Sequence, residues 1–178
     1  MTNTGTLTSS NKWRWLRWGG AAALLLLPAI AMQFTHEVDW TGSDFIFMGI
    51  LLGFPLALYE IASRANKSIA YRLGVAVALA GGFLLIWVNL AVGIIGSEDN
   101  PINAWYLAPP LIALAGSAIS LFKPTGMMWA MIGAAAALFG IFVYALISTG
   151  YFALPITIFF AAFWLTAAAL FRKAALEG

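Results

Sequence analysis

All nine Lys and Arg residues of this chain stand at the margins of long apolar runs, and they occupy alternate margins. Lys12, Arg14 and Arg17 precede the first run, and Arg64, Lys67 and Arg72 lie between the second and third. Lys123 separates the fourth from the fifth, and Arg172 with Lys173 follows the sixth. The intervening hinges hold acids instead: Glu37, Asp39 and Asp44 after the first run, Glu98 and Asp99 after the third, and no charge in the Ser148 to Leu154 link. Bases flanking a span resist translocation, so the pattern puts the four basic segments and both termini on the cytoplasmic side. It predicts an all-α polytopic membrane bundle of six transmembrane helices in three successive hairpins.

Composition agrees with that solvent. Of 178 residues, 62% are hydrophobic and only 9% are charged, far too apolar for a fold surrounded by water. Six crossings of about 20 residues take roughly two thirds of the chain, which leaves no separate soluble domain. Residues 1–11 read as a polar, disordered tail and residues 12–178 as one transmembrane domain. The net charge of +2 is distributed over four membrane-edge segments. It therefore reports orientation and not a nucleic-acid partner. With no cysteine there is no disulfide, thiol nucleophile, iron–sulfur cluster or Cys-ligated zinc.

The expected spans are residues 19–34, 45–63, 73–96, 101–122, 127–147 and 152–171. The first also has the basic leader, Leu-rich centre and Ala29-Ile30-Ala31 site of a signal peptide. Retention is preferred because the apolar run continues through Met32 and Phe34; cleavage would leave five spans with the others unturned. Thr41-Gly-Ser-Asp44 has the spacing of a helix-capping box, with Asp44 at the positive end of the dipole. Asn100 and Pro101 suit the cap and first turn of the fourth span. Pro109 and Pro110 fall inside it and predict a kink, and Gly150 suits the turn of the last hairpin. The two halves of the chain show no matching punctuation, as an inverted-repeat transporter would.

Lys12-Trp13-Arg14-Trp15-Leu16-Arg17-Trp18 alternates bases with indoles, which suits a headgroup-layer anchor better than a docking site. Small residues at helical spacing mark packing seams: Gly49, Gly53 and Ala57 in the second span, Gly82, Asn89 and Gly93 in the third, Gly133, Ala137 and Gly140 in the fifth. Glu60 is the one acid within an apolar run, and Arg64 four residues on makes a salt bridge its preferred role over a proton or substrate site. Asn89 reads as an interhelical hydrogen bond before it reads as a polar ligand. His36, Glu37, Asp39, Asp44, Glu98 and Asp99, with Asn100 and Asn103, share the outer side and supply cation-ligand atoms, but none has a ligand spacing. Asn66-Lys67-Ser68 matches a glycosylation sequon in a loop assigned to the cytoplasm. No haem-attachment, nucleotide or hydrolase motif is present, so the sequence implies no cofactor and no catalytic residue.

The stretch from Asn89 to Pro101, NLAVGIIGSEDNP, resembles a segment of small multi-span bacterial membrane proteins of unassigned function. The resemblance covers about a dozen residues, implies a bacterial inner membrane, and carries over no functional residue. Three functions are thus expected in order. The first is a non-catalytic accessory subunit, scaffold or stabiliser that packs against lipid and another membrane protein or itself. The second is a small transporter or channel using the kinked fourth span, Asn89 and Glu60. The third is a lipid- or quinone-directed enzyme using His36 and its neighbouring carboxylates.

Overall fold

The computed structural model describes residues 5–177, and the side chains within that range except those of residues 5–11 and 13. The first residues of the expected polar tail and the indole of Trp13 lie outside the described part. Six α-helices follow in order: α1 Gly5–Ala31, α2 Gly42–Ala65, α3 Ile69–Val92, α4 Ala108–Ile119, α5 Pro124–Thr149 and α6 Leu154–Leu176. A 3-10 helix, Pro101–Leu107, leads directly into α4. No strand occurs among the described residues. Five helical stretches are long and apolar enough to cross a membrane: α2, α3, the continuous Pro101–Ile119 segment, α5 and α6. The chain is an all-helical protein built for multiple crossings. α1 is not among these five, and it begins inside the segment expected as a tail.

The chain divides into two compact units at Leu58 and Tyr59, within α2. In the first unit α1 and α2 approach one another at Gly49 and Gly53. A Cβ on Gly49 would lie 3.7 Å from the Leu25 side chain, and one on Gly53 would lie 3.9 Å from the Trp18 ring. α2 starts where the capping box predicted. The Asp44 carboxylate accepts from the Thr41 amide and hydroxyl, both at 2.7 Å, so the chain's polar groups are satisfied before the apolar run begins.

The second unit is a four-helix core in which α3 packs on α6, α6 on α5 and α5 on α4. Its inward faces recur every three or four residues, as the helical period requires: Tyr71, Gly74, Val75, Ala78 and Leu85 on α3, Phe160, Trp164, Ala167 and Phe171 on α6. The two faces interlock by size. α6 presents rings where α3 presents glycine: a Cβ on Gly74 would come within 3.0 Å of the Phe171 ring, and one on Gly82 within 3.4 Å of the Trp164 ring. Gly81 is tighter, with a Cβ 2.6 Å from that of Phe163, and Gly116 of α4 meets Ala130 of α5 at the same distance. In lipid, where tails are as apolar as side chains, this close van der Waals fit holds helices together.

Two boundaries differ from those expected. The third span was drawn through Gly96, but α3 ends at Val92 because Gly93 turns to φ 67°. The fourth was drawn as one kinked helix. Instead the helix type changes: the 3-10 turn runs to Leu107, and Pro109 and Pro110 occupy the first turn of α4. Amides there have no partner within an α-helix, so prolines cost nothing in that place. The α4–α5 link carries left-handed Leu121 and Phe122, φ 52° and 58°. The Tyr71 hydroxyl donates to the Phe122 carbonyl at 3.0 Å and ties this link to α3. Gly150, at φ 72°, makes the last turn as expected.

Candidate functional site

The polar chemistry of the second unit concentrates where α3 gives way to the 3-10 helix. After Gly93 the chain turns outside any helix through Ile94 and Ile95, both buried, to Ser97, and the buried amides there need partners. Asn103 supplies the partners. Its Oδ1 accepts from the Ile94 and Ile95 amides at 3.1 and 2.8 Å, and its Nδ2 donates to the Ser97 and Ile95 carbonyls at 2.7 and 3.4 Å. Asn89 then ties this turn to α3, its Nδ2 donating to the Asn103 carbonyl at 3.0 Å. Asn100 caps the 3-10 helix by accepting from the Ile102 amide at 3.0 Å. Gly93 admits no side chain, because a Cβ would stand 2.6 Å from the Ser97 carbonyl and 2.7 Å from Asn103 Nδ2.

The result is a neutral clamp built of amides. An amide holds geometry and orients hydrogen bonds but carries no proton between protein and solute near neutral pH. In the second unit three buried polar atoms have no hydrogen-bond partner among the described residues: Asn89 Oδ1, the Tyr106 hydroxyl and Trp164 Nε1. Thr157 on α6 is also buried, with its hydroxyl returned to the Ala153 carbonyl at 2.9 Å.

The other residues singled out in the sequence are distributed as follows. Glu60 and Arg64 form an i,i+4 ion pair at 4.0 Å, with the Glu60 side chain 14% exposed and that of Arg64 73% exposed. An exposed guanidinium at that distance contributes little stability. Asp44 is engaged in its cap, and the Glu37 amide donates to Thr35 Oγ1. Among the described residues no three His, Asp or Glu side chains form a group able to hold a metal ion. Of the six outer-side candidates, His36, Glu37, Asp39 and Asp44 belong to the first unit and Glu98 and Asp99 to the second. Arg14, Trp15 and Trp18 of the anchor segment are exposed and Arg17 is half-buried. Gly82 meets Trp164 and Pro110, and Gly133 meets Ile112 at 3.4 Å. Ala57 and Ala137 are half-buried. Gly140 faces open space, and Gly93 serves the turn and not a helix seam.

No sequence signal marked Tyr106 or Trp164, and Asn103 was legible only as one oxygen donor of the outer loops. Asn103 lies three residues after the cap Asn100 and carries no local mark of its role; only the return of residues 94–97 beside it creates that role. No family model matches the chain, and no curated protein or solved structure is significantly similar to it.

Proposed function

We propose that this chain is a non-catalytic, multi-pass protein of a bacterial inner membrane that acts by association, as an accessory subunit, scaffold or stabiliser of a membrane complex. One observation carries the reading. Every fully buried residue among the described ones lies at or after Ala62, so α3 to α6 with the end of α2 carry the buried core, while the described side chains of the first unit are half-buried or exposed. α1 and α2 nonetheless present large apolar side chains, among them Leu24, Leu27, Ile46, Phe47, Ile50 and Phe54. A helix pair with exposed large apolar side chains and small residues at four-residue spacing is equipped to dock on another transmembrane helix. In this reading α1 is the first of six crossings, the basic segments and both termini face the cytoplasm, and the acidic hinges face outward.

The test is purification of the tagged protein from its native membrane in mild detergent, followed by native mass measurement. A stoichiometric protein partner, lost when Ile50 and Phe54 are both replaced by Ala, is the expected result. A lone bundle would sink the association reading. It would favour the second reading, a small transporter or channel, for which the buried polar atoms of Asn89, Tyr106 and Trp164 are the supporting observation.

A further inference from the structure

The second unit is electrically lopsided. Gly74 of α3 meets the Phe171 ring and Gly81 meets Phe163, so α3 starts where α6 ends. At that end the Tyr71 ring packs edge-on against Phe171 at 5.5 Å. The Tyr71 hydroxyl reaches the Phe122 carbonyl at 3.0 Å, and Ser68 donates to Glu177 at 2.6 Å. These contacts have bases beside them in the sequence: Lys67 before Ser68, Arg72 after Tyr71, Lys123 after Phe122, and Arg172 with Lys173 after Phe171. The fold thereby brings five bases to one end of the unit, and all five are exposed. Among the described residues none of them enters an ion pair, while both acids of this end are engaged, Glu177 with Ser68 and Glu60 with Arg64. The links at the other end, residues 93–107 and 150–153, hold Glu98 and Asp99 and no base.

Large apolar side chains stand exposed among these bases: Ile69 at 75%, Leu73 at 51%, Leu121 at 75% and Leu176 at 81%. A soluble anion would leave them in water, whereas a phospholipid offers phosphate to the bases and acyl chain to the apolar groups. α3, α5 and α6 are each long and apolar enough to cross a membrane, so bases at their ends stand at headgroup depth. The buried contacts beside them hold the backbone in place before any lipid arrives, which lowers the cost of binding. We propose that this end of the second unit is a binding surface for anionic phospholipid. Arg72, Lys123, Arg172 and Lys173 take the headgroup phosphates, and Ile69, Leu73 and Leu121 meet the acyl chains. The inference rests on the membrane-spanning reading of α3 to α6, and it stands whether or not α1 and α2 dock on a partner.

The test reconstitutes the full chain in vesicles of equimolar phosphatidylcholine and phosphatidylglycerol. Electron spin resonance of spin-labelled lipids then reads how much of each headgroup class is immobilised on the protein. Expected is a preference for phosphatidylglycerol of roughly fivefold, the attraction of about one base for an anionic surface. The preference should fall by more than half when Arg72→Gln, Lys123→Gln, Arg172→Gln and Lys173→Gln are combined, and should persist in Arg72→Lys with Arg172→Lys, which keeps the charge. All four positions are exposed, so the fold should tolerate the change; if the combined variant does not fold, Arg72→Gln with Arg172→Gln is read by the same criterion. No preference in the unaltered protein overturns the proposal. A preference that the Gln variant largely keeps also overturns it, because the attraction then comes from elsewhere in the chain. Loss in the Lys variant overturns it too, since charge is then not what holds the lipid. Inorganic phosphate that abolishes the preference, where chloride at equal ionic strength does not, overturns it in favour of a soluble anion.

Discussion

Gly81 and Gly140 both lie in helix interiors and differ only in what stands opposite. A Cβ on Gly81 would come within 2.6 Å of the Phe163 Cβ, the stem of that side chain and not its movable tip. At Gly140 nothing lies within 4 Å. Both positions would gain the helix propensity of alanine, up to about 1 kcal/mol. Only Gly81 would set against it an overpacking cost of about 1–3 kcal/mol. Thermal unfolding in detergent should therefore show Gly81→Ala destabilised and Gly140→Ala unchanged or stabilised; shifts of equal sign and size would contradict the fit. Gly82 was legible as a seam residue from its spacing to Asn89. Gly81 was not, because spacing places a residue on a helix face but says nothing of the bulk a neighbouring helix presents. Asn103 is the extreme case, since all four of its side-chain hydrogen bonds go to a turn that has no form until the chain folds back.

Helix starts were more legible than helix ends, and the reason is local chemistry. Thr41 with Asp44, and Asn100 with Ile102, close their caps within two or three residues, so the participants are adjacent in the chain. Two glycines, Gly93 and Gly96, follow α3, and both adopt positive φ. Gly93 ends the helix because the clamp on Asn103 captures the amides that follow it. Ser68, at the start of α3, was seen only as part of a chance sequon. It accepts from the Tyr71 amide and donates to the Glu177 carboxylate at 2.6 Å, a partner at the far end of the chain. The paired prolines also took their meaning from the element they begin. Inside a continuous helix, replacing a proline should stabilise by about 3 kcal/mol, the cost of a helix-interior proline. In the first turn of α4 that cost is absent, so Pro110→Ala should shift stability by less than about 1 kcal/mol. Denaturant or thermal unfolding decides this, and a large stabilisation would mean that the prolines interrupt one long helix.

For the whole molecule the governing pattern is the alternation of bases and acids between apolar runs. On the proposed orientation, a reporter fused after Lys123 should behave as cytoplasmic and one inserted beside Asp99 as extracytoplasmic. A reversal at either site would refute both the sidedness and the crossing count built on it. The all-helical, multi-span character was determined by sequence alone, because a chain that is 62% hydrophobic and broken every twenty-odd residues by polar hinges can satisfy its backbone in lipid only as helices or as a closed barrel, and the long apolar runs select helices. Tertiary structure alone decided which glycines receive rings, that the fully buried residues among the described ones all lie at or after Ala62, and that the polar centre is Asn103 with Asn89. Hydropathy and charge act on each segment separately through its solvent, so they can be read along the chain. Size matching and buried hydrogen bonds join residues distant in sequence, and they exist only once the helices have met.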